Sequence, residues 1–418
     1  MQNTIIVLVF LLTYLGMAAG RLPWFQVDRT GIALLGVIAL LGTEAATLDD
    51  IAGDIDTATL VLLFALMIVS AQFAASGFFD LCVQRLMAVR GGPVVLLALT
   101  VAVCGGLSAI LANDILLFGL TPLLIAGVRR RGLDPRPFLL ALAAATNAGS
   151  AATLIGNPQN IAIGQMGNLN FWDFIAACAV PAMVSLVIVF AVLWLLWGHR
   201  MENIELLPDD LPEVPIHPHD RTQTLRGAIA VAALLLFFTT SLPREIGALI
   251  IAALLMASRK VTSRAMIAAV DWPLLLLFAC LFGVTGALHD TGIPWSITTV
   301  LQEHGLLPDN LAVLTPLTLL MSNTIGNVPS VILLLQIWPD PPQGALYALA
   351  LLSTLAGNLL LVGSLANLIV VERAAGYGVR ISFAEHARAG IPITLLSMGF
   401  ALFWLAYTGW LPIFSGGD

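Results

Sequence analysis

Long apolar runs alternate with short polar segments along almost the whole chain. A bilayer core about 30 Å thick takes about 20 apolar residues per helix, fewer where a segment is broken or re-entrant. Runs of that kind cover 4–20, 30–47, 58–76, 138–163, 174–197, 227–241, 247–258, 272–288, 344–371 and 391–410. Two further regions, 92–128 and 306–338, are longer than one span and hold a polar break. The first breaks at Asn113-Asp114, the second from Ser322-Asn323-Thr324 through Asn327. Each predicts a hairpin of two helical arms joined by a turn within or near the membrane. The pattern leaves open whether the arms stop halfway or cross completely. The first run has no basic start and no clear small-residue cleavage site, so it reads as a retained helix and not as a signal peptide.

Composition narrows the class. The 418 residues are 59% hydrophobic and only 10% charged, with a mean hydropathy of +0.96. Neither a soluble globule nor a disordered chain carries that balance. The chain is expected to be an all-α polytopic membrane protein. Cys82, Cys104, Cys178 and Cys280 lie scattered in apolar runs without metal-ligand spacing and read as small buried hydrophobes. Net charge, −7, says little about partners; the placement of basic residues says more. If both break regions return to their starting side, 17 of the 18 Lys and Arg residues fall on one face and only Arg244 on the other. By the positive-inside rule the arginine-rich face is cytoplasmic and both termini are outside.

The most polar stretch between spans, 199–226, carries Pro208, Pro212, Pro215 and Pro218 among Asp209, Asp210, Glu213 and Asp220. It reads as a cytoplasmic linker between two halves, 1–198 and 227–418. The halves resemble each other in order. Leu63-Phe64-Ala65 recurs as Leu277-Phe278-Ala279, and the hairpin stretch 108–117 parallels 322–331. Gly156-Asn157-Pro158-Gln159-Asn160 parallels Gly363-Ser364-Leu365-Ala366-Asn367, and Asn170-Phe171-Trp172-Asp173 parallels Ser382-Phe383-Ala384-Glu385. The first hairpin opens from the cytoplasm and the second from outside, so the repeats are inverted. Each holds a hairpin (92–128, 306–338) and a broken helix (138–163, 344–371). Inverted repeats with interrupted helices mark secondary transporters, with the site near the midplane at the repeat interface.

The candidate site residues follow. Asp114 is the only charged residue between positions 92 and 128. A carboxylate at membrane depth costs at least about 2.5 kcal/mol, so proton or cation handling is its default role, compatible with capping a helix at the turn. With Asn113 it offers a sodium site. Asn147, Ser150, Gly156, Asn157, Gln159 and Asn160 form the polar break of the first half; Thr354, Asn358, Gly363, Ser364 and Asn367 form its counterpart. Proline and glycine there free backbone groups that suit anions at helix N-termini and Na⁺ at carbonyls. Ser322, Asn323, Thr324 and Asn327 supply the second hairpin tip. Asp49, Asp50, Asp54 and Asp56 read as a solvated outer loop. All six histidines, His386 included, are placed outside the apolar cores, and no Arg or Lys is expected at the depth of the site. No zinc helix, nucleophile elbow or Walker loop occurs. The energy source is therefore expected to be an ion or voltage gradient, unless a separate ATPase subunit attaches. No cofactor and no nucleic-acid partner are expected.

At these hairpins and breaks the sequence resembles the ion transporter superfamily of arsenite permeases, divalent anion:sodium symporters and citrate carriers. Ser322-Asn323-Thr324 is similar to the hairpin signature of the dicarboxylate branch, and Gly156-Asn157-Pro158-Gln159-Asn160 to that branch's helix break. Ala112-Asn113-Asp114 and Gly363-Ser364-Leu365-Ala366 resemble the arsenite permease pattern, which is the closer match. The resemblance implies a scaffold domain (30–76 and 227–288 with peripheral helices), a transport domain of hairpins and broken helices, elevator-type movement and a homodimer. It implies export of a small inorganic anion or oxyanion, of arsenite type, coupled to protons or sodium at an inner membrane. A sodium/proton antiporter, a sodium-coupled dicarboxylate symporter and a passive anion channel are the alternatives.

Overall fold

A computed structural model describes residues 2–19, 27–198, 201, 217–240, 242–338 and 340–414. Most of the expected linker (Pro208, Asp209, Asp210, Pro212, Glu213 and Pro215) and the basic residues Arg21 and Arg200 lie outside the described residues. Among those described, the regular structure is entirely helical. The first half runs α1 (Gln2–Ala19), α2 (Arg29–Gly42), α3 (Leu48–Asp54), α4 (Thr57–Ala75) and α5 (Phe78–Ala88). It continues with α6 (Pro93–Ser108), α7 (Asn113–Arg130), α8 (Pro135–Ser150), α9 (Pro158–Met166) and α10 (Phe171–Trp197). The second half repeats the series: α11 (Arg221–Phe237), α12 (Arg244–Met256), α13 (Ser263–Ala268), α14 (Trp272–Asp290) and α15 (Ile293–Glu303). Then come α16 (Leu311–Thr324), α17 (Asn327–Ile337), α18 (Gln343–Ala356), a 3₁₀ turn (Leu361–Gly363), α19 (Leu365–Gly376) and α20 (Phe383–Tyr407). Each helix of the first half has its counterpart ten places later.

Five of these helices are long and apolar enough to cross a bilayer: α1, α4, α10, α14 and α20. Leu12, Leu15, Val187, Leu195 and Phe403 on α1, α10 and α20 are exposed, as lipid-facing side chains are. The shorter apolar helices are arms. α6 and α7 form the first hairpin, α16 and α17 the second, and α8–α9 and α18–α19 are the two broken helices.

Helix starts explain where apolar runs understated the elements. The runs at 174 and 391 begin too late, because the first turns of α10 and α20 each carry an acid, Asp173 or Glu385, that cuts the apolar run short. Asn170 caps α10 by accepting from the N–H groups of Trp172 and Asp173. Ser382 caps α20 in a reciprocal box with Glu385. The paired Asn170–Asp173 and Ser382–Glu385 motifs are thus the same device, a helix start. Proline at the first position of α6, α8 and α9 fits because an N–H there has no helical partner.

Two bundles result. In one, α2 packs on α14 and α4 on α12, so that opposite halves meet, with α1, α3, α11 and α13 around them. In the other, α6 packs on α8, α16 on α18 and α10 on α20, while α7 lies along α19 and α17 along α9. Helices α4, α5, α14 and α17 connect the two.

The acidic segment expected as a solvated outer loop is not a plain loop. Residues 48–54 form α3, capped by a box between Thr47 and Asp50, and Asp56 caps α4. Asp54 is half-buried against α14, with Oδ2 buried and unpartnered. Burial, then Asp290 and Asp50, push its carboxyl up to about 6, with His289 opposing. The ionised form is the costly one in the folded protein, so stability falls as pH rises from about 4 through about 6. Asp54→Asn is therefore expected to raise thermal stability above pH 7 by about 1 kcal/mol, given partial solvent screening, and to change nothing near pH 4. A gain that is equal at both pH values would remove the titration from the explanation.

Candidate functional site

The site is built from helix beginnings. In the first break, Asn157 caps α9 by accepting the Asn160 N–H at 2.8 Å. In the second, Ser364 caps α19 by accepting the Ala366 N–H at 3.2 Å. The interrupted backbone is held by two equivalent amides. Asn160 Nδ2 donates to the carbonyls of Ser150 (3.2 Å) and Thr153 (2.9 Å). Asn367 Nδ2 donates to those of Gly357 (2.8 Å) and Leu360 (3.2 Å). In both repeats the carbonyls belong to residues ten and seven positions earlier. This shared bonding is why the two five-residue motifs match in sequence: each must satisfy carbonyls left free where a helix stops inside the membrane.

A polar lattice ties the breaks together. Asn147 on α8 donates to Asn358 Oδ1 at 2.8 Å and accepts from Ser364 Oγ at 3.0 Å. Asn157 donates to Ser150 Oγ at 3.0 Å, and both Asn157 and Gln159 reach Thr354 Oγ1 on α18. At the first hairpin tip, Ser108 Oγ donates to Asn113 Oδ1 at 2.6 Å, and the Ala112 N–H donates to Ser70 Oγ on α4 at 2.7 Å.

These segments enclose one cavity. Asn113 and Asp114 line it from the first hairpin, Asn327 and Val328 from the second. Asn147, Asn157, Pro158 and Gln159 line it from the first broken helix, and Ser364, Leu365 and Ala366 from the second. Its volume is about 20 Å³, enough for about one water-sized particle. Both hairpins therefore turn back at the level of the breaks. The first turns of α7, α9, α17 and α19 all border this space. Asp114 is buried, and its Oδ2 has no hydrogen-bond partner. Asp271, which caps α14, lies within electrostatic reach of it.

Of the residues singled out in the sequence, Asn113, Asp114, Asn147, Asn157, Gln159, Asn327 and Ser364 line the cavity. Ser150, Asn160, Thr354, Asn358 and Asn367 stand behind it, as braces of the lattice. Gly156 is pressed on the Ser150 carbonyl, where an added β-carbon would lie 2.2 Å away, and Gly363 on Asn323. The second hairpin signature acts differently from expectation. Ser322 donates to the Ser353 carbonyl, and Asn323 clamps the Ala356 carbonyl and the Leu360 N–H. Thr324 is exposed and bonds only its own helix. The turn falls after it, at Ile325-Gly326, so Thr324 faces away from the cavity.

Two expectations are corrected. His386 does not lie outside the apolar core: α20 begins at Phe383, and His386 is buried with Nε2 3.5 Å from Asn367 Nδ2. A cation does reach the site's surroundings. Arg29 lies against the second hairpin tip and donates to the Val362 carbonyl at 3.3 Å. Sequence hid both, because one sits in a polar first turn and the other at the start of a distant helix. Ser70 was missed as one hydroxyl in an apolar span.

Interrupted helices from two inverted repeats, meeting at a polar cavity inside an apolar exterior, define a secondary transporter. A family model described as citrate transporter matches residues 8–340, and the chain belongs to that family. It is a multi-pass membrane transporter, not an enzyme. The silicon efflux transporter LSI3 of Oryza sativa subsp. japonica is 28% identical, covering 90% of this chain and 91% of its own. A 46 kDa membrane protein of Mycobacterium leprae is also 28% identical, over 97% of this chain and 99% of its own. Among solved structures, the YdaH transporter of Alcanivorax borkumensis shares the fold with a TM-score of 0.61. It has 16% identity, with 99% of this chain and 100% of that chain covered.

Proposed function

We propose that this transporter exports a small, weakly acidic inorganic oxyanion or its hydroxide, of arsenite type, coupled to protons or sodium. The observation that carries the reading is the convergence of four helix N-termini on a cavity holding one unpartnered carboxylate oxygen. Each N-terminus offers roughly half a positive charge, so the four sum to roughly two. Ionised Asp114 sets one negative charge against them. The balance favours an anion of low charge, or a neutral hydroxide that ionises weakly, held by amides and backbone N–H groups. The rice relative, a silicon efflux transporter, points in the same direction.

Asp114 carries the coupling ion in this reading, either as a proton on Oδ2 or as Na⁺ shared with Asn113. Alternating access comes from the hairpin-and-break bundle moving as a transport domain against the bundle of α2, α4, α12 and α14. The arginine-rich face is placed in the cytoplasm of an inner membrane, with both termini outside, and a homodimer is the expected assembly.

Purified protein in proteoliposomes tests this. Arsenite and antimonite are expected to move uphill under an imposed pH or sodium gradient, with sulfate, phosphate and dicarboxylates as comparisons. Flux that only runs downhill would make the protein a channel. Sodium exchange that depends on pH and needs no anion would make it an antiporter.

A further inference from the structure

The two repeats place an arginine at the same point and use it differently. The counterparts α2 and α12 each begin with one, Arg29 and Arg244. Arg29 donates to the Val362 carbonyl, just before the second helix break ends. It also lies against Gly326 at the hairpin tip, where φ is +99° and an added β-carbon would stand 2.9 Å from Nη1. Only glycine suits that position. Arg244 instead donates to the carbonyls of Gly164 (3.3 Å) and Leu169, at the far end of α9.

The bonding of Asn160 and Asn367 fixes the correspondence between halves. Val362 matches Ile155, Gly164 matches Val371, and Leu169 matches Gly376. The two arginines therefore grip places that are not equivalent, one half-helix apart. That half-helix, α9, has nine residues, about 13 Å of rise. The hairpin tips are offset the same way. Ala112 meets Ser70 near the end of α4, whereas its counterpart Gly326 meets Arg29 at the beginning of α2. By the sidedness of the basic residues, both points lie toward the cytoplasm. Were the bundle midway, equivalent arginines would hold equivalent carbonyls. It stands displaced toward the cytoplasmic side.

We propose that Arg29 and Arg244 are latches of the transport step that exchange partners, each holding the moving bundle at both ends of its travel through different backbone carbonyls of the opposite repeat. This rests on the alternating-access reading above. In the opposite state the contacts exchange. Arg244 takes the Ile155 carbonyl beside the first hairpin tip, and Arg29 slides along α19 to Val371 and Gly376, a movement on the order of 10 Å. Gly376 is the last residue of α19, where carbonyls lack helical partners, as Leu169 lies just past the end of α9. Arginine suits the task because its planar head offers several donors, stays charged and is less tightly hydrated than lysine's ammonium.

Cysteine pairs test the exchange. The four native cysteines are replaced by alanine, and a protease site is placed within 202–216, so that cleaved halves migrate together only when linked. With a short bifunctional thiol reagent, Arg29→Cys with Val362→Cys is expected to link, reporting the fold described here. The mirror pairs, Arg29→Cys with Val371→Cys and Arg244→Cys with Ile155→Cys, are expected to link in the same membranes. If the first pair links and the unlinked protein transports arsenite, but the mirror pairs never link, the latch proposal fails and alternating access stands. If protein locked through Arg29→Cys and Val362→Cys transports at the unlocked rate, alternating access itself fails.

Discussion

Asp114→Asn is expected to abolish gradient-driven transport, by about a hundredfold, while leaving the protein folded. The amide keeps the size of the carboxyl and its place in the first turn of α7, so packing around it changes little. What it loses is the buried Oδ2 that no protein group satisfies. An oxygen left bare inside a membrane protein costs free energy unless a proton or an ion completes it. Interactions of that charged kind are worth about 1.5–3 kcal/mol, and the upper end corresponds to about a hundredfold. Asp114→Glu should retain part of the activity, because the acid survives but an added methylene crowds a cavity of about 20 Å³. Uptake into proteoliposomes under imposed gradients, with melting temperature as the control for folding, makes the comparison. If Asp114→Asn transports with unchanged pH and sodium dependence, the residue serves α7 as a helix-start acid and nothing more.

The second large effect concerns the amides that hold the breaks. Asn160→Ala strips partners from the carbonyls of Ser150 and Thr153, and Asn367→Ala from those of Gly357 and Leu360. Each buried carbonyl left without a donor costs about 1–3 kcal/mol. Thr153 and Leu360 keep the N–H groups of Gly156 and Gly363 as donors, so either substitution bares one buried carbonyl, that of Ser150 or Gly357, and should destabilise the protein by about 1–3 kcal/mol, with the two costs close because the bonding is the same. Transport should fall with both, since each break aims a helix N-terminus at the cavity. Gly156→Ala attacks the first break another way, by forcing a β-carbon onto the Ser150 carbonyl. Thermal unfolding in detergent, read beside transport, is the measurement. A loss below about 0.5 kcal/mol for either asparagine would mean that the breaks hold without them.

Much of the architecture was legible in the chain because the bilayer simplifies the code. Apolar run length and polar interruptions each answer to one solvent constraint, so segments and breaks could be read without a fold. The motif pair ending in Asn160 and Asn367 was visible for the same reason: an interrupted helix in a membrane must satisfy its own carbonyls, and the repeats solve that alike. Polar first turns were harder. Asn170, Ser382 and His386 belong to helices whose opening residues carry charge, and a hydropathy reading assigns such residues to loops.

By itself the sequence determined a polytopic helical transporter with two inverted halves, a lone acid at one hairpin tip and polar interruptions facing it. Tertiary structure alone decided which of those polar residues touch the cavity. It turned Ser322, Asn323 and Thr324 away while bringing Ser364 and Asn327 in, and it set Arg29 beside a tip almost 300 residues distant. Residue type records that a polar group must be satisfied inside a membrane. Which partner satisfies it, the protein's own carbonyl or a passing ion, depends on how helices from opposite halves are docked, and no local pattern encodes that.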